Sequence, residues 1–350
     1  MNRNSPQPND EVVQSRVEML SDSETIAAYD RPDSTWNHLA LATPQPDPFC
    51  ATTAWQLSWR EAVDLDRPVM VRASSDGLVQ FALHALEDTP VLGPIERQWL
   101  FGCNVLGPSG VDLLAQCLSD PPVRVNSASC PIVVSGLDPR GPVLAAMKSR
   151  LAHTATLQPL RREIQCAASL DGGLDGFLAR RSANHRKKLR QALRRAAESG
   201  VAFERHAPAS AEEARRIFRR MLAVERLSWK GIDRCGMDQP WGRIFYGSML
   251  RRLAMSASGR VMFATHAGKD IGYIFGGMAG DIYRGQQFSF DNDWRDMSIG
   301  NLLQYEQVAW LCEQGAVRYD MGPLLGPLMA YKRHWTEIRL PIEAWLVRPL

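Results

Sequence analysis

The spacing of hydrophobic positions changes along the second half of the chain and predicts helices first and strands afterwards. A helix is expected between an N-cap at Ser182 and a left-handed glycine at Gly200, because its apolar residues share one face. The capping box of Ser210 and Glu213 begins a second helix, and apolar residues at four-residue intervals over 241–253 predict a third. Alternating segments then predict three strands, over 259–267, 270–279 and 281–290.

The residues after these strands predict a parallel βαβ unit. A loop at 295–301 opens into a helix that ends at Gly315, and residues 316–322 form a last strand. The predicted order is therefore three helices, a three-stranded meander, a helix and a strand.

The first half predicts a second group of elements. Apolar residues recur every four positions from Trp55 to Val63 and predict an amphipathic helix. Residues 136–172 are less regular and contain three prolines, so we place a domain junction there. Between these two regions we expect a hairpin turn at 75–77, a loop and helix over 104–120, and a strand over 129–136.

Basic charge is concentrated in one stretch. The chain has 41 Lys and Arg residues against 38 Asp and Glu residues. Eight of the basic residues lie between Arg180 and Arg195, and the other 33 are outnumbered by the 38 acidic ones. Nucleic-acid binding proteins spread cationic charge over a face or domain, so this pattern favours a local anion site. A solvated helix face with long arginine stems is the alternative.

Several classes of protein do not fit the sequence. The N-terminal residues are polar and resemble no secretory signal, and no apolar run is long enough to span a membrane. The seven cysteines and seven histidines are scattered without metal-ligand spacing. We therefore expect a cytoplasmic protein with reduced thiols and no metal site.

The loop at 295–301 is a candidate anion site. Its helix would point unpaired N–H groups and the positive end of its dipole at the loop. Gly300 would allow close approach of a ligand, and Ser298 adds a hydroxyl donor. An ordinary N-cap is the alternative interpretation.

The loop resembles the pyrophosphate loop of the GNAT acyltransferases, Arg/Gln-x-x-Gly-x-Gly/Ala. This chain has Arg-x-x-Ser-x-Gly at 295–300, with Ser298 in place of the first glycine. The chain also resembles the CelD-like acetyltransferases of cellulose biosynthesis, which are relatives of the FemAB aminoacyltransferases. The resemblance is carried by residues 47–59, 177–200, 224–231 and 297–335.

The resemblance implies an α/β (α+β) fold of tandem GNAT-like domains, each a mixed, mostly antiparallel sheet flanked by helices. We expect an irregular leader over 1–30, a degenerate GNAT-like domain over 31–165 and an active domain over 166–350. No cofactor would be bound permanently, and acyl-CoA, chiefly acetyl-CoA, would be the co-substrate. The expected donor-binding residues are Arg295, Ser298, Ile299, Gly300, Asn301, Arg186 and Arg190.

The same resemblance suggests catalytic and acceptor-binding residues. Tyr331 follows the last strand, where GNAT enzymes often place the tyrosine that protonates the departing thiolate. Glu225 or Asp291, acting through water, would take the amine proton. Trp229, Lys230 and Lys332 would bind substrate. The alternatives are core packing for Trp229, turn chemistry for Asp291, charge at a helix end for Lys230, and a surface helix for 328–335.

We therefore expect an N-acyltransferase that transfers an acyl group from acyl-CoA or an acyl carrier to an amine by direct attack. Polysaccharide or cell-envelope metabolism is its expected setting. The alternatives are a FemAB-like transferase that uses aminoacyl-tRNA, and a catalytically degenerate GNAT scaffold.

Overall fold

The computed structural model describes residues 17–19, 26–63, 65–86, 89–121, 123–125, 128–324 and 326–350, so most of the predicted leader lies outside the described residues. The α-helices are Thr35–Ala42 (α1), Pro48–Ala51 (α2), Thr53–Val63 (α3), Gly110–Ser119 (α4), Pro142–Arg150 (α5), Gly173–Ala179 (α6), Ala183–Glu198 (α7), Ala211–Leu227 (α8), Trp229–Ile232 (α9), Pro240–Met255 (α10) and Ile299–Glu313 (α11). Short 3₁₀ helices cover Ile26–Tyr29, Asn292–Met297 and Pro327–His334.

The strands are Val17–Met19 (β1), Val69–Ala73 (β2), Leu78–Leu86 (β3), Thr89–Gly93 (β4), Val105–Leu106 (β5), Val123–Val125 (β6), Ala128–Ser129 (β7), Ile132–Leu137 (β8), Ala155–Ser169 (β9), Val201–His206 (β10), Gly259–His266 (β11), Lys269–Ala279 (β12), Ile282–Phe290 (β13), Arg318–Pro323 (β14) and Ile338–Pro349 (β15). Within the described residues, no helix combines the length and apolar character that a bilayer span needs.

The chain divides into two compact units that differ from the predicted domains. The first contains the described residues up to Thr52 together with Asp66–Arg162 and Ile342–Leu350. The second contains Thr53–Leu65 and Glu163–Pro341. Helix α3 thus belongs to the second unit, and the end of β15 belongs to the first.

The first unit is built on a mixed sheet. Strands β2 and β3 form the predicted hairpin, closed by a hydrogen bond from the Ser74 N–H to the Gly77 carbonyl. Strand β4 pairs antiparallel with β3 and parallel with β8, and the end of β15 pairs antiparallel with β8. The region that we expected to be irregular contains α5, with Pro142 at its first turn, and β9. Pro142 is tolerated because the first turn of α5 needs no N–H there. Pro159 lies in the half of β9 that does not pair with β14, so its missing N–H breaks no bond to that strand.

The second unit contains the predicted meander and βαβ unit. Its sheet has the order β10–β11–β12–β13–β14–β9, antiparallel except for the parallel pair β13–β14 that α11 connects. Side chains of α7 and α11 pack with Ile274 on one face. The neighbouring Tyr273 and Phe275 contact residues of α8 and α10 on the other face, as strand alternation requires. The predicted fold class of mixed, mostly antiparallel sheets flanked by helices is confirmed.

Local signals at the helix ends are also confirmed. Ser182 caps α7 by accepting from the His185 N–H, and Gly200 follows that helix with φ of 72°. Ser210 accepts from the Glu213 N–H at the start of α8. In α3, Trp55 packs edge-on against Phe245 of α10.

Candidate functional site

The candidate site lies where β13 and β14 separate. In the described residues, Ile282–Arg284 of β13 pair with Arg318–Asp320 of β14, and no further residues of the two strands pair. Strand β13 nevertheless continues to Phe290. A register shift between β12 and β13 leaves Gln286 opposite no residue of β12. The separated strands border a cavity of about 460 Å³, which we call the splay pocket.

The splay pocket has apolar walls and a few polar groups. Its apolar lining includes Trp229, Phe275, Phe288, Phe290, Met321 and Met329. Its polar lining includes Lys230, Gln286, Gln287, Gln304, Tyr319 and Lys332. Apolar walls with a few directed polar groups are typical of small-molecule sites.

Lys230 is held at the pocket wall by the short helix α9, which Ser228 caps. Its Nζ donates to Gln287 Oε1 at 2.9 Å and to the Phe288 carbonyl at 2.8 Å. Burial lowers the pKa of Lys230, and the nearby Glu225 carboxylate opposes this shift. The adjacent Trp229 is 40% exposed and lines the pocket, so it is not the core residue of the alternative interpretation.

Glu225 lies behind Lys230 and is fully buried. Its carboxylate accepts a 2.8 Å hydrogen bond from the Tyr273 hydroxyl and a 2.9 Å bond from the Met237 N–H. Glu225 is not among the residues that line the splay pocket. A role as base would therefore require a proton path from the pocket.

Tyr331 and Lys332 lie in the last 3₁₀ helix and both face the pocket. Burial raises the pKa of Tyr331, whose ring packs edge-on against Phe288. Lys332 is 5% exposed and donates to the Pro323 carbonyl at 2.7 Å. Burial and the nearby Arg284 lower the pKa of Lys332 to about 7. The surface-helix alternative does not hold for these two side chains.

A second cavity of about 490 Å³ lies between α7 and the start of α11, and we call it the helix groove. Ser298 begins α11 in the left-handed conformation, with φ of 59° and no side-chain cap. The first N–H groups of α11 have no partner within the helix, as at any helix start. The groove is lined by Ser182, Asn184, His185, Lys188, Gln191, Arg195, Ser298, Asn301, Tyr331, His334 and others.

The cations that face the helix groove are Lys188 and Arg195, rather than the expected Arg186 and Arg190. An α-helix has about 3.6 residues per turn, so Lys188 and Arg190, which are two residues apart, point to nearly opposite sides of α7. The Arg186 guanidinium donates to the carbonyls of Leu178, Ala179 and Arg181 at the end of α6. Arg190 is exposed on the side away from the groove.

The side chains of the loop at 295–301 and the start of α11 are divided between the helix groove and the core. Ser298 and Asn301 line the groove, whereas the side chain of Ile299 is buried in the core. A Cβ on Gly300 would lie 3.0 Å from Phe288 Cε2 and 3.1 Å from Phe290 Cε1. Gly300 therefore allows α11 to pack closely against β13.

Two further expected residues, Arg295 and Asp291, also lie outside both cavities. Arg295 is exposed, with its Nε 4.0 Å from a carboxylate oxygen of Asp296. Asp291 accepts from the Asp293 N–H at 3.0 Å and caps the 3₁₀ helix that follows β13, as its turn interpretation predicts. Neither residue lines the splay pocket or the helix groove.

Sequence reasoning missed Lys188, Arg195, Gln286 and Gln287. Helical periodicity could have identified the first two, because Lys188 and Arg195 are seven residues apart and share one side of α7. No local signal marks the two glutamines, because the register shift that leaves Gln286 without a partner residue in β12 depends on how β12 and β13 pair.

Comparison with known proteins supports the fold. Residues 183–333 match the family model of the acetyltransferase (GNAT) domain. This part of the chain is therefore similar to a GNAT domain. None of the curated proteins matches the sequence of the chain.

Solved structures share the fold over nearly the whole chain. FemX is 12% identical with a TM-score of 0.62, over 90% of this chain and 95% of its own. A conserved protein of unknown function from Bacteroides thetaiotaomicron is 12% identical with a TM-score of 0.63, over 95% and 100%. L-PGS from Bacillus licheniformis is 13% identical with a TM-score of 0.57, over 94% and 93%. These likenesses show a FemX-like fold, and the CelD-like branch stays a prediction.

Proposed function

We propose that this protein is an N-acyltransferase that binds an acyl-CoA donor in the helix groove and an amine acceptor in the splay pocket. The observation that carries the proposal is the position of Tyr331, which lines both cavities. A thioester that reaches from one cavity toward the other would place its sulfur and carbonyl beside this phenol.

The helix groove offers the groups that a pyrophosphate requires. Lys188 and Arg195 supply positive charge, and the N–H groups of Ile299 and Gly300 stand at the positive end of the α11 dipole. Ser298 and Asn301 add hydrogen-bonding side chains. Acetyl-CoA is the simplest donor of this class, and an acyl carrier protein would present the same phosphopantetheine arm.

In the proposed reaction the amine attacks the thioester directly, and no covalent enzyme intermediate forms. The neutral amine nitrogen attacks the thioester carbon, and backbone N–H groups freed where β13 leaves β14 hold the developing oxyanion. The C–S bond then breaks, Tyr331 donates its proton toward the thiolate, and the amine loses a proton to a base. Glu225, reached by a proton path from the splay pocket, is the base that we propose, and positioning supplies much of the rate.

Transfer from aminoacyl-tRNA is the second candidate, and the exposed cations of α7 favour it. Arg190 and Arg194 lie on the exposed side of that helix, where a nucleic-acid backbone could reach them. The proposed role in polysaccharide or cell-envelope metabolism rests on the CelD-like resemblance alone.

Thermal unfolding with added ligands tests these candidates. A ligand that binds only the folded state raises the unfolding temperature, by an amount that grows with the logarithm of its concentration relative to its Kd. Stabilisation by acetyl-CoA or longer acyl-CoAs, with CoA release when amines are added, would support the proposal. Stabilisation by tRNA alone would favour the second candidate, and no stabilisation by any of them would favour the scaffold.

A further inference from the structure

The polar groups of the splay pocket are unbalanced between donors and acceptors. Lys230 Nζ makes two hydrogen bonds and Lys332 Nζ makes one, although an ammonium group has three protons. Gln286 Nε2 is buried and has no hydrogen-bond partner in the described part of the chain. Donors with unused capacity therefore converge on this pocket from three elements.

Two of the amide oxygens at the pocket already accept a hydrogen bond. Gln287 Oε1 accepts from Lys230, and Gln304 Oε1 accepts from the Tyr319 hydroxyl at 2.7 Å. Among the described residues that line the pocket, none is Asp or Glu. The nearby Glu225 carboxylate accepts instead from Tyr273 and Met237.

A buried donor without an acceptor costs free energy, and a bound acceptor atom recovers it. A carboxylate supplies two oxygens with about four lone-pair directions and no competing proton. Bonds from Lys to a carboxylate are charge-assisted and stronger than neutral ones. An ammonium ion, by contrast, would bring donors to donors and positive charge to two lysines.

We propose that the splay pocket recognises its ligand through a carboxylate on an apolar body, bound by Lys230, Gln286 and Lys332. This inference rests on the proposed function, because that proposal assigns the amine acceptor to the splay pocket. The acceptor class is then an amine that also carries a carboxylate, such as an amino acid derivative, rather than a polyamine or a simple alkylamine.

The environment of Lys332 adds a separate signature. Its Nζ is buried near Arg284 of β13 and Cys166 of β9, and its pKa of about 7 leaves it largely neutral at pH 8. A bound carboxylate would favour the charged form of Lys332. Carboxylate binding at pH 8 should therefore take up protons from solution, and this uptake should shrink below pH 7, where Lys332 is already charged.

Calorimetry on the full chain tests the inference with three probes of one length: hexanoate, hexanamide and hexylamine. Hexanoate should bind roughly tenfold or more tightly than hexanamide, since hydrogen bonds to charged groups are the stronger ones. Hexylamine should bind most weakly. Titrations at pH 8 in two buffers of different ionisation enthalpy should report proton uptake with hexanoate.

Variants locate the effect. Lys332→Gln should abolish the proton uptake and reduce hexanoate binding to the level of hexanamide. Arg333→Gln removes the neighbouring exposed cation and should leave both unchanged. If Lys332→Gln does not fold, Gln286→Leu should still weaken hexanoate binding. The inference is overturned if none of the probes binds, if hexanamide or hexylamine binds as tightly as hexanoate, or if folded Lys332→Gln binds hexanoate like the unaltered protein.

Turnover measurements distinguish a failure of this inference from a failure of the proposed function. With acetyl-CoA, the acceptors 6-aminohexanoate, 6-aminohexanamide and hexylamine should release CoA in decreasing order of kcat/KM. Selective hexanoate binding without CoA release from any amine would refute the acetyl donor and leave the carboxylate site standing. CoA release that is fastest with hexylamine would support transfer and overturn the carboxylate site.

Discussion

Tyr331 packs edge-on against Phe288, with ring centroids 5.5 Å apart, and this contact fixes the phenol where the helix groove and the splay pocket meet. Burial raises the pKa of Tyr331, so the phenol keeps its proton at neutral pH and is available as a donor. The ring and the hydroxyl therefore have separable roles.

The first prediction removes the hydroxyl and keeps the ring. Tyr331→Phe should lower kcat by about 10²–10⁴, the usual contribution of general acid catalysis. Acyl-CoA affinity and the unfolding temperature should change little, because the contact with Phe288 is retained. Steady-state kinetics and calorimetry measure these quantities, and an unchanged kcat would assign proton delivery to another group.

The second prediction concerns the charges of α7. Lys188→Gln/Arg195→Gln should weaken acyl-CoA binding at low salt, and the loss should shrink at high salt because screening already weakens the contact. Arg186→Gln/Arg190→Gln is the matched control, with the same change of charge on the other side of the helix. Donor affinity at two ionic strengths distinguishes them. A larger loss in the control would restore our sequence-based assignment.

The third prediction concerns Gly300. Gly300→Val should destabilise the protein by about 1–3 kcal/mol, the typical cost of overpacking, because a Cβ would meet the rings of Phe288 and Phe290. Denaturant unfolding measures the loss, with Gly315→Ala as a control because nothing lies within 4 Å of a Cβ there, although its φ of 75° adds local strain. Full stability of Gly300→Val would show that the helix can move away from β13.

The fourth prediction concerns Tyr273, whose hydroxyl donates to the buried Glu225 carboxylate. Tyr273→Phe should cost about 1–3 kcal/mol of unfolding free energy, because a buried acceptor loses a partner. The Met237 N–H remains as its other donor. Chemical denaturation measures the change, and a loss below a few tenths of a kcal/mol would mean that water replaces the phenol.

The fifth prediction is a pH dependence of stability. The pKa of Lys332 is about 7 in the folded protein against an ordinary 10.5, so between these values the unfolded chain binds more protons. Stability from this group should therefore rise with pH from about 7 upward, by at most about 1.4 kcal/mol per pH unit. The rise should be missing in Lys332→Gln. Parallel pH profiles of unfolding free energy for the two proteins would contradict the low pKa.

Much of the second unit could be predicted from the sequence, because its signals are local. Strand alternation gave the meander of β11, β12 and β13, and side-chain caps at Ser182 and Ser210 gave the starts of α7 and α8. The segment at 295–301 and the residues after the last strand carried the GNAT resemblance, which the family match over 183–333 supports. These features depend on residues close together in the chain.

The tertiary structure decided which side chains meet. The choice of Lys188 over Arg190 for the groove depends on how α7 is rotated against α11, and the burial of Glu225 depends on Tyr273 from a distant strand. The low pKa of Lys332 depends on burial and on Arg284 of β13. Charge, rotation and burial at these positions are set by packing between distant segments, and periodicity within a single segment does not contain that information.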